Sequence, residues 1–255
     1  MFPTIFVGHG NPMYAIEENE FTQEWQKLGK TLPKPKAIVV ISAHWETIGT
    51  YVTAMPNPRT IHDFYGFPPE LFNVQYNPPG NPKLAQNISS KVQQTKIQLD
   101  ESWGLDHGSW SVLKHLYPKA DIPVVQLSLD RTKPASFHYE LAKELQFLRN
   151  EDVLIIGSGN IVHNLRLINF RSKSGNDWAI NANETLKNLV LTNNHKNLVN
   201  YQILGSEVQL AIPTPEHYLP LIYVLGLQNE LEKVRIFNDT VELGSISMAS
   251  FLMIG

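Results

Sequence analysis

Cysteine is absent from the 255 residues. Its absence excludes disulfides, thiolate nucleophiles and cysteine-based zinc or iron–sulfur sites together. An excess of charge is almost absent too. Lys+Arg number 21 against 24 Asp+Glu, a formal net charge of -3, so nothing draws the chain electrostatically toward nucleic acid or anionic lipid. Long apolar runs are missing. A stretch such as AIVVISA falls far short of a membrane span. The segment MFPTIFVGHG has neither a basic start nor a long apolar core, which argues against a signal peptide and for a cytoplasmic protein. There is no Pro/Gly/Ser-rich linker, repeat or low-complexity tract, and the polar stretch Arg171 to Asp177 is too short to separate domains. The length therefore reads as one domain over residues 1–255. Apolar residues make up 42% and charged residues 18%, which excludes disorder and supplies a core that needs no covalent staple. With cysteine gone, the nine histidines become the main candidates for chemistry.

Short β-branched runs at Thr4–Val7, Ala37–Ser42, Ile122–Leu127 and Val153–Ile156 predict buried strands. Val234–Phe237 and Ser245–Leu252 predict one or two more. Helical spacing lies between them. Phe21, Trp25 and Leu28 share one face, as do Leu84, Ile88 and Val92 after Pro82. Pro134 opens a third helix with Leu141, Leu145 and Leu148 on one side. Trp178–Leu191 is a fourth. A fifth starts at Pro215 and is interrupted by Pro220. Strands alternating with helices predict an α/β domain, with a central mostly parallel or mixed sheet flanked by helices on both faces. Met55 to Pro82 is rich in proline and aromatics and lacks periodicity, as a functional loop or lid would.

Familiar motifs fail. Gly29-Lys30-Thr31 has Glu24 where a phosphate loop needs its first glycine. Gly157-Ser158-Gly159 follows a strand, but Val162 occupies the third glycine position of a dinucleotide fingerprint. Neither HExxH nor GxSxG occurs.

The histidines are more informative. Three predicted strands run into His9, into His44, and through Gly157–Asn160 into His163. Ligands of open α/β sheets bind beyond the carboxyl ends of strands, so these imidazoles are expected to meet on one rim. Three or four neutral imidazoles suit Zn(II) or Fe(II). His107, at the start of a predicted helix, is placed for proton transfer or for a plain turn. His217 is a further ligand or substrate contact, and Glu216 beside it points about 100° away, so the two are not expected on one ion. His62 lies in the aromatic loop. Trp45, Phe67 and Tyr218 neighbour the histidines and, with His62, suit a pocket for a flat aromatic substrate. His115, His138 and His195 read as solvated.

In order along Gly8–Gly226, the motifs GHGNPM, ISAHWET, TIHDFYGFP, GLDHGSW, SGNIVHNLR and PTPEHYLPLIYVLG resemble the DODA-type extradiol ring-cleavage dioxygenases, the bacterial 4,5-DOPA group in particular. These belong to the class III superfamily that includes the LigB subunit of protocatechuate 4,5-dioxygenase. The resemblance implies one divalent metal per chain, Fe(II) for dioxygenase activity or Zn(II) as a bound form. It implies His9 and His44 as ligands, with His163 and His217 as the other metal-site histidines. LigB-type enzymes place a glutamate at the third ligand position, where this chain has His217. A two-His, one-carboxylate set is usual for Fe(II) oxygenases, whereas an all-His set also suits zinc, which has no redox chemistry. His107 matches the family's DHG histidine, an acid–base group, and His163 is a second candidate base. The implied partners are a small catechol and O2, giving an open-chain semialdehyde, without nucleic acid or membrane. Two other readings stay open: a zinc hydrolase on the same histidines, and a non-catalytic ligand-binding member of the superfamily.

Overall fold

Four of the apolar runs form the parallel heart of an eight-stranded sheet in the computed structural model, which describes residues 1–255. The first half of the chain contributes β1 (Thr4–Gly8), α1 (Glu20–Thr31), β2 (Ala37–Thr47), β3 (Thr50–Thr53), α2 (Pro69–Phe72), α3 (Pro82–Lys91), β4 (Ile97–Asp100), α4 (His107–Leu116) and β5 (Val124–Asp130). There follow α5 (Ala135–Glu144), α6 (Phe147–Asn150), β6 (Val153–Gly159), α7 (Asp177–Leu191), α8 (His195–Val199), α9 (Ser206–Ala211) and α10 (Leu219–Leu227). The strands β7 (Lys233–Phe237), β8 (Val241–Glu242), β9 (Ile246–Ser247) and β10 (Ser250–Ile254) complete the chain.

The strand order is β4-β3-β5-β2-β6-β1-β10-β7. Neighbours from β5 to β1 are parallel, while β10 pairs antiparallel with both β1 and β7. Both faces are covered, so the central strands are apolar throughout instead of alternating with polar residues. Phe6, Val39, Ile41 and Ile155 face one core, packed by α5, α7 and α10. Ile5, Val7, Ile38, Val40, Leu154 and Ile156 face the other, packed by α1 and α4. The α/β expectation with a mixed central sheet holds.

Several local expectations are revised. Pro220 does not interrupt a helix; it lies in the first turn of α10, where its missing N–H has no intrahelical acceptor to lose. Residues 213–218 are turn, so His217 precedes that helix. The helix after Pro134 divides into α5 and α6, because Leu145 and Gln146 donate three residues back, to Ala142 and Lys143, in a tightened turn. The short strands β3 and β4 have too few apolar residues to stand out. His138 is not solvated. It is fully buried on α5, with Nδ1 3.1 Å from the Tyr223 hydroxyl of α10. His115 and His195 are half-buried, the first donating to the Tyr14 carbonyl at 2.7 Å and the second lying between Tyr139 and Gln228.

Candidate metal centre

The rim is assembled at the C-terminal ends of three adjacent strands. β6 lies between β1 and β2, so His9, just past β1, and His44, near the end of β2, flank it. The β2–β5 register shifts between Ile41 and Glu46, an irregularity of the kind that re-aims side chains next to active sites. His44 lies inside it. His217 reaches the rim because its own backbone crosses β6 closely. A Cβ on Gly159 would sit 2.1 Å from the His217 carbonyl oxygen, and one on Gly157 2.4 Å from that of Pro220. Only glycine permits that approach.

The Nε2 atoms of His9 and His44 are 3.2 Å apart. Two nitrogens bound to one tetrahedral ion at about 2.1 Å each would be separated by about 3.4 Å. One potential ligand atom from each of His9, His44 and His217 lies within 4.8 Å of the other two. The outer nitrogens have partners of their own. His9 Nδ1 is 3.0 Å from Ser158 Oγ, His44 Nδ1 is 3.4 Å from Asp63 Oδ2, and His217 Nδ1 is 3.1 Å from Glu216 Oε1. Such outer contacts orient imidazole ligands. Burial, reinforced by the neighbouring imidazoles, pushes His9, His44 and His217 well below the ordinary histidine range. All three are therefore neutral near pH 7, the form that binds a cation. The donor set fits one divalent ion.

His163 is not in this trio but forms a second group with Glu216 and His217, whose potential ligand atoms also lie within 4.8 Å of one another. The adjacent Glu216 and His217 side chains therefore converge where a helix would have splayed them. The His163 ring stacks on that of His217, with centroids 3.5 Å apart and planes 9° apart. Burial first, then the charge of His107, lowers it to about 4. Glu216 spends one carboxylate oxygen on His217 Nδ1 and Thr214.

His107 begins α4, whose N-cap is Asp106. The Asp106 carboxylate accepts from Ser42 at 2.7 Å, from the Ser109 backbone at 3.1 Å and from Gln126. Burial, then the nearby Asp63 charge, raises Asp106 to about 6. Gly108 lets this turn press on β2, since a Cβ there would lie 2.5 Å from Ser42 Oγ and 2.9 Å from the His44 ring. The His107 ring is 3.9 Å from that of His44 and 5.8 Å from that of His9. Its Nδ1 lies 3.0 Å from Asp63 Oδ2, and its backbone N–H donates to Asp63 Oδ1 at 2.8 Å. Burial opposes ionisation of Asp63, yet the His107 and His44 imidazoles outweigh it and hold the carboxyl below its usual value.

The long loop from Met55 contributes Asp63 and an aromatic wall. Phe64 meets the His107 ring edge-on at 5.5 Å, and Phe67 meets Phe64 at 5.4 Å. His62 Nε2 donates to the Val74 carbonyl at 2.9 Å and so braces the loop instead of joining the imidazole cluster. Two expected substrate contacts are engaged elsewhere. Trp45 stacks on Trp103 at 5.6 Å. Tyr218 is fully buried in the core, its hydroxyl donating to the Leu198 carbonyl at 2.9 Å, because the turn before α10 directs His217 and its neighbour to different surroundings. Asp63 and Ser158 are additions to the expected site. Asp63 sits inside TIHDFYGFP, where its signal is an acidic residue in an otherwise aromatic loop. Ser158 lies within the glycines that imitate a dinucleotide fingerprint.

A family profile described as the catalytic LigB subunit of aromatic ring-opening dioxygenase matches residues 3–249. The chain belongs to this LigB family. It is 50% identical over 254 residues to the 4,5-DOPA dioxygenase extradiol of Escherichia coli K12, covering 97% of this chain and 93% of that protein. It is 35% identical over 255 residues to the 4,5-DOPA dioxygenase extradiol of Beta vulgaris, covering 97% and 95%. A crystal structure of an uncharacterised E. coli K12 protein superposes with a TM-score of 0.87 at 45% identity over the whole of both chains. LigB dioxygenases are metal-dependent oxidoreductases, so the expected enzyme class holds. No helix is long and apolar enough to cross a membrane.

Proposed function

We propose that this LigB member is an extradiol dioxygenase that opens the ring of a small DOPA-like catechol with O2 to give a semialdehyde. Its divalent metal is held by His9, His44 and His217, and Fe(II) is the active ion. The observation that carries this reading is the convergence of three neutral imidazoles, with the Nε2 atoms of His9 and His44 3.2 Å apart, beside a histidine–aspartate pair. The bound metal supplies Lewis acidity that favours the catecholate and a shared centre for both reactants. The protein does the rest. His107 takes or returns a catechol proton at Nε2, because Asp63 lies 3.0 Å from Nδ1 and stabilises the imidazolium while it exists. His163, stacked on His217, is the second proton-handling group and orients that ligand. Phe64 closes one side and excludes water, with Phe67 and His62 behind it.

The test is anaerobic loading with Fe(II) or Zn(II), followed by DOPA and air. Oxygen uptake with a yellow ring-opened product in the iron sample alone is expected. Absence of uptake with any catechol would favour a zinc hydrolase, for which the all-histidine donor set is equally suited.

A further inference from the structure

We propose that Ser158 is a positioning residue that decides which nitrogen of His9 carries the proton, and so presents the other to the metal as a bare lone pair. This rests on the reading of His9 as a ligand. Ser158 lies on β6, opposite Val7 of β1 and Ser42 of β2, beneath the first turn of α4. It is completely buried, so no solvent satisfies its hydroxyl. A serine hydroxyl has one hydrogen and two lone pairs. The Gly108 carbonyl, which can only accept, lies 2.5 Å from Ser158 Oγ and takes that hydrogen. What remains for His9 Nδ1, 3.0 Å away, is a lone pair. Two lone pairs would repel, so Nδ1 carries a hydrogen and donates it. The partner of one ring nitrogen sets the state of the other, and neutral His9 is left with Nε2 unprotonated, facing Nε2 of His44 at 3.2 Å.

The same hydroxyl connects metal binding to proton transfer. Gly108 follows His107 directly, so the relay from His9 Nδ1–H through Ser158 to the Gly108 carbonyl ties a metal ligand to the turn that carries the proton-handling histidine. Each bond in such a relay polarises the next. A serine that merely filled space between strands would leave the His9 tautomer unspecified.

The experiment uses the full-length, metal-free protein, with the imidazole 15N resonances correlated to ring protons and His9 assigned by its loss in His9→Gln. Zn(II) affinity is measured alongside by competition with a chromophoric chelator. In the wild type, His9 is expected with the proton on Nδ1. In Ser158→Ala a mixture of tautomers is expected, with Zn(II) bound roughly 10–100-fold more weakly. A wild-type His9 protonated on Nε2 would overturn the proposal, and that spectrum decides even if the alanine variant fails to fold. So would a Ser158→Ala protein with an unchanged tautomer and Zn(II) affinity within about threefold of wild type, well inside the effect expected of an outer partner. That last result leaves the metal centre standing. A wild type that binds no Zn(II) removes the metal centre and the proposal together.

Discussion

Oδ2 of Asp63 lies 3.0 Å from Nδ1 of His107 and 3.4 Å from Nδ1 of His44. One carboxylate from the long loop therefore faces both a proposed metal ligand and the proposed proton-handling group. Asp63→Asn keeps the shape and removes the charge. Turnover is expected to fall roughly 10–100-fold, the usual cost of losing an outer partner of a metal site. Steady-state oxygen uptake, with metal content measured on the same samples, checks this.

His107 and the ligand trio separate by readout. His107→Ala should keep its metal and lose roughly 100-fold or more in rate, the scale of a missing general acid–base group. His9→Ala and His44→Ala should lose metal and turnover together. Elemental analysis after gel filtration distinguishes the two patterns, and a metal-free His107→Ala protein would refute the assignment.

His163 and His217 stack but are not equivalent. Only His217 shares a ligand cluster with His9 and His44. His217→Ala should abolish Zn(II) binding, whereas His163→Ala should retain it and lose activity. Titration with the metal alone reads the difference, and the reverse pattern would exchange their roles.

His138 gives a pH dependence away from the centre. Burial lowers it from 6.5 to about 4. Between those values the unfolded chain binds the proton and the folded chain does not, so stability is lost as pH falls. At pH 5 the loss from this group is about 2 kcal/mol relative to pH 7. His138→Gln can still bond Tyr223 but does not titrate. Its urea-unfolding free energy should therefore fall less than that of the wild type between pH 7 and pH 5, and equal losses would sink the prediction.

Gly159→Ala places a methyl group 2.1 Å from a backbone oxygen that cannot swing aside. A cost on the order of 2–3 kcal/mol is expected, as for other overpacked sites. A lowered melting temperature and weaker Zn(II) binding are the measurements, since the displaced backbone is that of His217.

The sequence speaks most clearly where local physics decides. Apolar runs such as Val39–Ile41 mark central strands because both faces of the sheet are covered, and Phe21, Trp25 and Leu28 mark α1 by spacing alone. The rim histidines stand out because glycines and strand ends surround them. What stays hidden depends on pairing across the chain. Trp45 finds Trp103 and Tyr218 finds Leu198, which no local pattern announces. Asp63 gains its meaning only when its loop folds over α4. Ser158 sits 149 positions from His9, and only the order β2-β6-β1 brings them into contact.

That order has a consequence for how the molecule is made. β1 is synthesised before the other strands of its sheet, yet its two neighbours are β6 and β10, the latter more than two hundred residues further along. Both edges of β1 stay bare until β6 is made, and one of them until β10, which begins at Ser250. Pairings this remote are slow to form and leave unsatisfied edges exposed. A chain ending before Ser250 would carry every histidine of the centre but leave one flank of β1 without its partner strand, an open edge of the kind that invites wrong pairings.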